Sequence, residues 1–355
     1  MFADMSTSRF PENPIGRVLS GSTGPLDAAV AAWREQPVDW DRLAEPSPAA
    51  APRNRFTIDH PVTVHSHGTF LGRSIRTLSF CPSERDGWWF ERTDLPDSLP
   101  VRCSIRNVWT TGSVVSNIVL RSGSPANYIR MTEHIIALRM GLGVDNLLIR
   151  MDSGDPPLFD HGSTELVEAL NAAGRRPVPR PAAFVTVREP LTVTDGRGGF
   201  LTLGPPLDPA APRLTVDAAI SFKTAIGQQR IRFAVNPETF AYGATARTNA
   251  PATAILYCRT IGLLFADIRH LGYDFSNLLV AGRFRYWNRP FPPLDHDGKS
   301  LEAAWHRAVL DLLAAIALID DGLFVGHIVS YKSGHRLDVE MIRRLYQESL
   351  LCPFP

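Results

Sequence analysis

The spacing of apolar residues predicts short strands in the first half of the chain, followed by a helix. Residues 73–80 alternate between two faces, and residues 88–92 form a β-prone run that residues 94–100, with two prolines, bring to an end. Residues 144–151 indicate a buried strand. In residues 163–173 the apolar positions recur at intervals of three and four, which predicts a helix with one buried face.

The second half of the chain repeats this order. A segment with three prolines at residues 175–181 separates the halves, and no residue-level repeat accompanies the similarity. Strands are predicted at residues 183–187, 191–194, 199–203, 214–222, 229–234 and 323–331, and helices at residues 251–264, 301–319 and 339–350. The pattern therefore predicts two α+β domains, at residues 56–175 and 182–355.

Residues 1–55 differ in composition from both predicted domains. They are rich in Pro, Ala, Ser and Gly, apart from an amphipathic patch at residues 26–43. Trp33 and Trp40 in that patch predict that it docks on the body of the protein, and the prolines of residues 46–52 predict a flexible linker. We therefore treat residues 1–55 as an N-terminal extension and linker.

Composition and charge exclude several classes of protein. A chain of 355 residues with 44% hydrophobic and 21% charged residues is typical of a globular protein of about two domains. The 37 basic and 36 acidic residues give no reason to expect nucleic acid or an anionic membrane as a partner. Four widely spaced cysteines indicate neither a disulfide framework nor a cysteine zinc site. Because no run of 18 apolar residues and no signal-peptide pattern occurs, we expect a cytoplasmic protein without a transmembrane segment.

The strongest candidate chemistry lies at Glu133 and His134, where a strand-like segment leads into an apolar helix. An imidazole can bind a metal ion while a neighbouring carboxylate accepts a proton from water that the metal activates. Glu-His pairs are also common on protein surfaces, so the rest of the chain must decide between the two interpretations.

Several short motifs occur in the order in which one enzyme family carries them. They are Phe-Glu-Arg-Thr-Asp-Leu at residues 90–95, Thr-Glu-His at 132–134 with Gly-Leu-Gly-Val-Asp-Asn at 141–146, Pro-Leu-Phe-Asp at 157–160, Arg-Thr at 259–260 and Tyr-Lys-Ser-Gly-His at 331–335. From about residue 56 onward the chain resembles the zinc-dependent UDP-3-O-acyl-N-acetylglucosamine deacetylases. The resemblance implies two domains, each a small, mostly antiparallel sheet layered with helices, with the active cleft between them.

The resemblance also implies a role for each residue at a motif position. Glu133 would act as the general base, Thr260 would polarise the scissile carbonyl, and His335 would stabilise charge or protonate the leaving amine. The implied ligands of Zn²⁺ are His134, His306 and Asp311. The residues implied to bind substrate are Phe222, Arg307 and Lys332. The implied substrate is a small molecule, either a nucleotide sugar or a related compound with an acyl group.

The spacing of two implied zinc ligands departs from the family pattern. The family places these His and Asp residues four apart on one helical face, whereas His306 and Asp311 are five apart, which is about 140° around a regular helix. Three interpretations stay open. A π-bulge could absorb the extra residue and restore the pair, Glu302 could pair with His306 from the preceding turn, or the zinc site could be absent.

Other departures leave the activity open as well. Ala314 and Ala315 occupy the region where the family has an aspartate that supports the cationic histidine. His335 would therefore lack an orienting carboxylate unless another residue supplies one. The first hypothesis is a divergent zinc-dependent N-deacetylase. The alternatives are a metal-free homologue that binds a ligand in the same cleft, and an enzyme that uses Glu133 and His335 for acid–base chemistry without zinc.

Overall fold

Two β-sheets with helices packed against them form the centre of the computed structural model, which describes residues 10–45, 47–112, 115–265 and 268–354. The first sheet has five strands, in the spatial order Val62–His67, Ile75–Cys81, Leu147–Met151, Trp88–Arg92 and Val101–Arg102. Leu147–Met151 and Trp88–Arg92 are parallel, and the other three pairs are antiparallel. This sheet and its helices form the first layered unit.

The second sheet has seven strands, and its edges come from the N-terminal extension. Its spatial order is Arg17–Ser20, Leu191–Thr194, Phe200–Gly204, Gly326–Tyr331, Leu214–Ser221, Gln228–Ala234 and Trp40–Arg42. Among the five central strands, three of the four pairings are antiparallel. The two edge strands pair in parallel with their neighbours. The predicted fold class, α+β with two layered sheets, is confirmed.

Short ladders and helices complete the described structure. The remaining strands are Asn54–Thr57 with Arg176–Pro181, Val108–Thr110 with Val119–Arg121 and Tyr128–Ile129, Phe184–Thr186 with Leu323–Phe324 and Cys352–Phe354, Thr248–Pro251 with Leu278–Ala281, and Asp295–His296 with Lys299–Ser300. The α-helices are Leu26–Glu35, Glu133–Ile136, Leu138–Gly141, Thr164–Ala172, Pro237–Ala244, Ala252–Arg259, Glu302–Trp305, Leu313–Ala317 and His335–Gln347. Short 3₁₀ turns lie at Ile105–Asn107, Ile261–Leu264 and Pro292–Leu294. Within the described ranges, no helix has the length and apolar character needed to cross a bilayer.

The N-terminal extension docks on the second sheet, as its amphipathic pattern predicts. Helix Leu26–Glu35 buries Trp33 against the face of the sheet that carries Phe200 and Tyr331. Arg230 from the sheet donates hydrogen bonds to the last carbonyls of this helix, those of Trp33 and Gln36, over 2.6 and 3.0 Å. These contacts satisfy orphan acceptors at the end of the helix, so the extension is an integral layer of the fold. Of the predicted linker, residues 47–52 have no regular secondary structure, and Pro46 lies outside the described residues.

The predicted helix at residues 301–319 is interrupted by a π-helical segment. An α-helical turn at Glu302–Trp305 is followed by a π-helix at His306–Leu312 and an α-helix at Leu313–Ala317. The whole segment is enclosed, and Trp305 packs with Trp40 at 4.4 Å between ring centroids. The interpretation in which a π-bulge absorbs one extra residue is therefore confirmed for the backbone.

Candidate active site

Glu133 begins a helix whose start is held against the segment that leads into strand Val119–Arg121. The hydroxyl of Thr132 donates to the carbonyl of Ile118 over 2.9 Å, and the backbone N–H of Ile118 donates to Oε2 of Glu133 over 2.9 Å. The side chain of Glu133 is buried, and burial raises the pKa of its carboxyl group above the ordinary value. A raised pKa suits a carboxylate that accepts a proton near neutral pH.

Two imidazoles and a hydroxyl meet beside Glu133. Nε2 of His134 lies 3.4 Å from Nε2 of His306, and Oγ1 of Thr248 lies 3.3 Å from the first nitrogen and 3.1 Å from the second. Burial, together with the neighbouring His306, lowers the pKa of His134 to about 3. His134 is therefore neutral, which is the form of imidazole that binds a metal ion.

The π-helix brings Asp311 back to the side of His306. One carboxylate oxygen of Asp311 lies 3.5 Å from Nδ1 of His306 and 3.5 Å from Nε2 of His335. Burial opposes its charge, but His306 and His335 outweigh that effect and hold the pKa of Asp311 below its usual range. Oε1 of Glu133 lies 3.8 Å from the same nitrogen of His335. His335 therefore faces two carboxylates, although Ala314 and Ala315 provide none.

Glu302 does not complete the site. Its carboxylate is fully buried and accepts hydrogen bonds from Nε and Nη2 of Arg247 over 2.7 and 3.0 Å, and a third from the backbone N–H of Phe291 over 2.8 Å. A carboxylate engaged by this many donors already has its charge compensated. The interpretation in which Glu302 pairs with His306 is therefore wrong.

Two of the three predicted zinc ligands, His134 and His306, lie at a separation that suits zinc. Two imidazole nitrogens on a tetrahedral zinc with bonds of about 2.05 Å are about 3.3 Å apart, which matches the separation of His134 and His306. The third predicted ligand, Asp311, instead lies beside Nδ1 of His306, the far side of that ring. Among the described residues, no three His, Cys, Asp or Glu side chains are arranged as a metal site. Within the described part of the chain, neither this Asp311 oxygen nor Nδ1 of His306, both of which are buried, has a hydrogen-bond partner.

The hydroxyl at the site belongs to Thr248 and not to Thr260. Thr260 is exposed after helix Ala252–Arg259, where its hydroxyl donates to the carbonyl of Leu256 over 2.6 Å. The structure does not bring it to the imidazoles. Thr248 was missed because Arg-Thr occurs twice in this part of the second half of the chain, at residues 247–248 and 259–260, and the motif was assigned to the second copy. What distinguishes the first copy is that Thr248 begins the strand Thr248–Pro251, which pairs in parallel with Leu278–Ala281.

A cavity of about 650 Å³ opens beside these residues. Phe222 and Lys332, both predicted to bind substrate, line it, and Lys332 adopts a left-handed backbone conformation with φ of 50°. Arg307 reaches the cavity wall too, but its guanidinium is buried and donates to both oxygens of Asp338 over 2.6 and 2.5 Å. That pairing gives Arg307 a structural partner, whereas Phe222 and Lys332 are exposed and line the cavity.

Comparisons with known proteins identify relatives of this chain. The family model of UDP-3-O-acyl N-acetylglycosamine deacetylase matches residues 55–347. A UDP-3-O-acyl-N-acetylglucosamine deacetylase of Solibacter usitatus is 25% identical over 295 residues, which cover 82% of this chain and 91% of the relative. Enzymes of the same name from Syntrophotalea carbinolica and Brucella ovis are 26% and 27% identical, over 81% and 82% of this chain and 86% and 95% of each relative. The chain therefore belongs to the UDP-3-O-acyl N-acetylglycosamine deacetylase family.

Proposed function

We propose that the protein is a zinc-dependent deacetylase that hydrolyses an amide of an acyl-bearing nucleotide sugar. The observation that supports this most is the separation of 3.4 Å between Nε2 of His134 and Nε2 of His306, beside a buried carboxylate and a hydroxyl. Imidazoles at ligand spacing, a base and a hydrogen-bond donor are the groups that metal-assisted amide hydrolysis needs.

Each side chain at the site has a part in this proposal. His134 and His306 would hold zinc through Nε2, and zinc, when bound, would supply the Lewis acidity that activates water at neutral pH. Glu133 accepts the proton of the attacking water, since one of its oxygens is fixed by Ile118 and the other faces the site. The hydroxyl of Thr248 is placed to donate a hydrogen bond to the developing oxyanion.

His335 would protonate the leaving amine. Its Nε2 lies 3.8 Å from Glu133 and 3.5 Å from Asp311, so two carboxylates orient the ring. A proton that Glu133 takes from water could pass to the leaving nitrogen through this imidazole, which balances the reaction without a further reagent. Asp311 thus supplies the orienting carboxylate that Ala314 and Ala315 do not.

The substrate class follows from the relatives and the cavity. The relatives carry the name UDP-3-O-acyl-N-acetylglucosamine deacetylase. In this chain the cavity offers the ammonium group of Lys332 for a diphosphate and the ring of Phe222 for stacking, next to apolar side chains such as Ile255 and Leu278 that suit an acyl chain. We therefore propose a substrate with both a diphosphate and an acyl group.

Acetate release from UDP-3-O-acyl-N-acetylglucosamine by the purified protein tests this function. We expect release that a chelator abolishes and added zinc restores. Replacement of Glu133 by Gln should lower the rate by about 10²- to 10⁴-fold, because the general base is removed. A protein with an intact fold and bound zinc that releases no acetate would sink the proposal.

A second candidate, ligand binding without hydrolysis, is favoured by the placement of Asp311. Its carboxylate contacts Nδ1 of His306 rather than the nitrogen that faces His134. Under this alternative, calorimetry would show binding of the same UDP-sugar with no acetate formed, and replacement of Lys332 by Ala would weaken that binding.

A further inference from the structure

A small unit stands apart from both main sheets and covers the cavity. It consists of Thr248–Pro251, Ala252–Arg259, Ile261–Leu264 and Leu278–Ala281, with the loop that follows. We call residues 248–265 and 268–289 the cap. Helix Ala252–Arg259 contributes Ile255 and Cys258 to the cavity wall, while Leu256 and Tyr257 on the same helix are exposed. The cap therefore has an apolar inner side and an apolar outer side.

The cap carries most of the large exposed apolar side chains of the described residues. Fourteen large hydrophobic side chains are exposed among the described residues, and nine of them belong to the cap. Phe284 and Leu264 are the most exposed, at 86% and 75%. A concentration of exposed apolar side chains on one small unit marks a site of interaction with a protein or a membrane.

The charge of the cap also differs from that of the whole chain. Residues 248–289 contain five arginines and two aspartates, whereas the chain as a whole has 37 basic and 36 acidic residues. The five arginines are all exposed, at Arg259, Arg269, Arg283, Arg285 and Arg289. The near-neutral charge of the chain therefore hides a local excess of positive charge on one surface.

Arginine and aromatic side chains are interleaved on this surface. The guanidinium carbon of Arg259 lies 5.3 Å from the ring centroid of Phe275, and that of Arg283 lies 5.1 Å from the ring centroid of Phe284. At a bilayer surface the rings enter the boundary of the acyl chains, while the long arginine side chains keep their charge among the phosphates.

We propose that the outer side of the cap docks the protein on an anionic lipid bilayer at the level of the headgroups. Charge complementarity favours this partner, since the three exposed arginines of the cap that do not line the cavity, Arg283, Arg285 and Arg289, match anionic headgroups. Side chains that protrude separately, as Leu264 and Phe284 do, also need no shaped counterpart in a fluid bilayer. The purpose of the docking rests on the proposed function, because an acyl-bearing substrate would then reach the cavity from the membrane side.

Co-sedimentation with vesicles tests the docking without substrate or metal. Wild-type protein should bind vesicles of phosphatidylcholine and phosphatidylglycerol more tightly than vesicles of phosphatidylcholine alone. Leu264→Ser with Phe284→Ser should weaken binding to the anionic vesicles about a hundredfold, because two apolar side chains no longer leave water. Arg283→Ala with Arg285→Ala should weaken it about tenfold, and raised salt should act in the same direction.

The matched control replaces two exposed apolar residues outside the cap, as Ile75→Ser with Leu99→Ser, and should leave binding unchanged. Absence of binding by the folded wild-type protein overturns the proposal, including the case in which the cap joins two protein chains instead. Equal losses of vesicle binding in Leu264→Ser with Phe284→Ser and in Ile75→Ser with Leu99→Ser overturn the proposal as well. Acetate release, measured separately on a short-chain soluble substrate without vesicles, reports on the proposed function independently.

Discussion

The dipeptide Arg-Thr occurs twice within fourteen residues, and the two copies have opposite surroundings. Arg247 is buried against Glu302, and Thr248 lies between two imidazoles. Arg259 is exposed over the ring of Phe275, and the next residue bonds only to its own helix and turn. The same two side chains thus belong to the buried candidate active site in one place and to the surface in the other.

The difference comes from the partners that the fold presents to each copy. Glu302 and His306 lie four residues apart, so they are neighbours on one face of their helix. Arg247 and Thr248, which are adjacent in the chain, meet these two side chains in turn. The second copy lies at the end of the short cap helix, where both of its residues are exposed. The chemical surroundings of Arg247 and Thr248 therefore come from Glu302 and His306, which lie 55 and 58 residues further along the chain.

The largest effect on this comparison is expected from Glu302→Ala. It leaves the guanidinium of Arg247 buried without its carboxylate, which should lower the free energy of unfolding by about 3–5 kcal/mol. Denaturant unfolding measures the loss. The control is Glu340→Ala, which removes a partly exposed partner of Arg344 and should cost at most about 1 kcal/mol. Similar losses of unfolding free energy in the two variants would show that the buried pair contributes no more to stability than the partly exposed pair.

The next largest effect is a difference in the rate of acetate release between variants of Thr248 and Thr260. Thr248→Val keeps the shape of the side chain and removes its hydroxyl, so acetate release should fall by about 10²- to 10³-fold. Thr260→Val should leave the rate unchanged, since that hydroxyl bonds to the carbonyl of Leu256. Rates measured on folded variants decide between them. A loss of rate in Thr260→Val alone would restore the assignment made from the motif.

How much of this site the sequence could predict depends on whether the signal is local. Glu133 and His134 are adjacent in the chain. The five-residue spacing of His306 and Asp311 made a π-bulge one of three open interpretations, because a regular helix separates the two side chains. To predict Thr248 as a site residue, one would need to know its contact with His134, which lies 114 residues away in the chain. No local pattern in the sequence encodes that contact.

The edges of the second sheet show the same limit. The predicted docking of the amphipathic patch is confirmed by the burial of Trp33, since the apolar stripe of a helix is a local signal. The strands Arg17–Ser20 and Trp40–Arg42 were not predicted. They have only four and three residues, and they pair in parallel with strands far along the chain, so length and alternation gave too little information.

The smallest effect concerns Asp311. If it supports His306 through Nδ1, Asp311→Asn should weaken zinc affinity by about 10- to 100-fold, as expected when a residue that orients a ligand is changed. His306→Ala, which removes a ligand, should abolish tight binding. Competition with a chromophoric chelator measures both. An affinity in Asp311→Asn as low as in His306→Ala would instead make Asp311 a ligand.

Zinc content of the purified protein tests the central claim most directly. We predict about one zinc ion per chain in the wild-type protein and in Thr260→Val, and none in His134→Ala, because the site is formed by the imidazoles of His134 and His306. Circular dichroism would confirm that each protein is folded. A folded wild-type protein that binds no zinc when zinc is supplied, or a His134→Ala variant that retains it, would contradict the account.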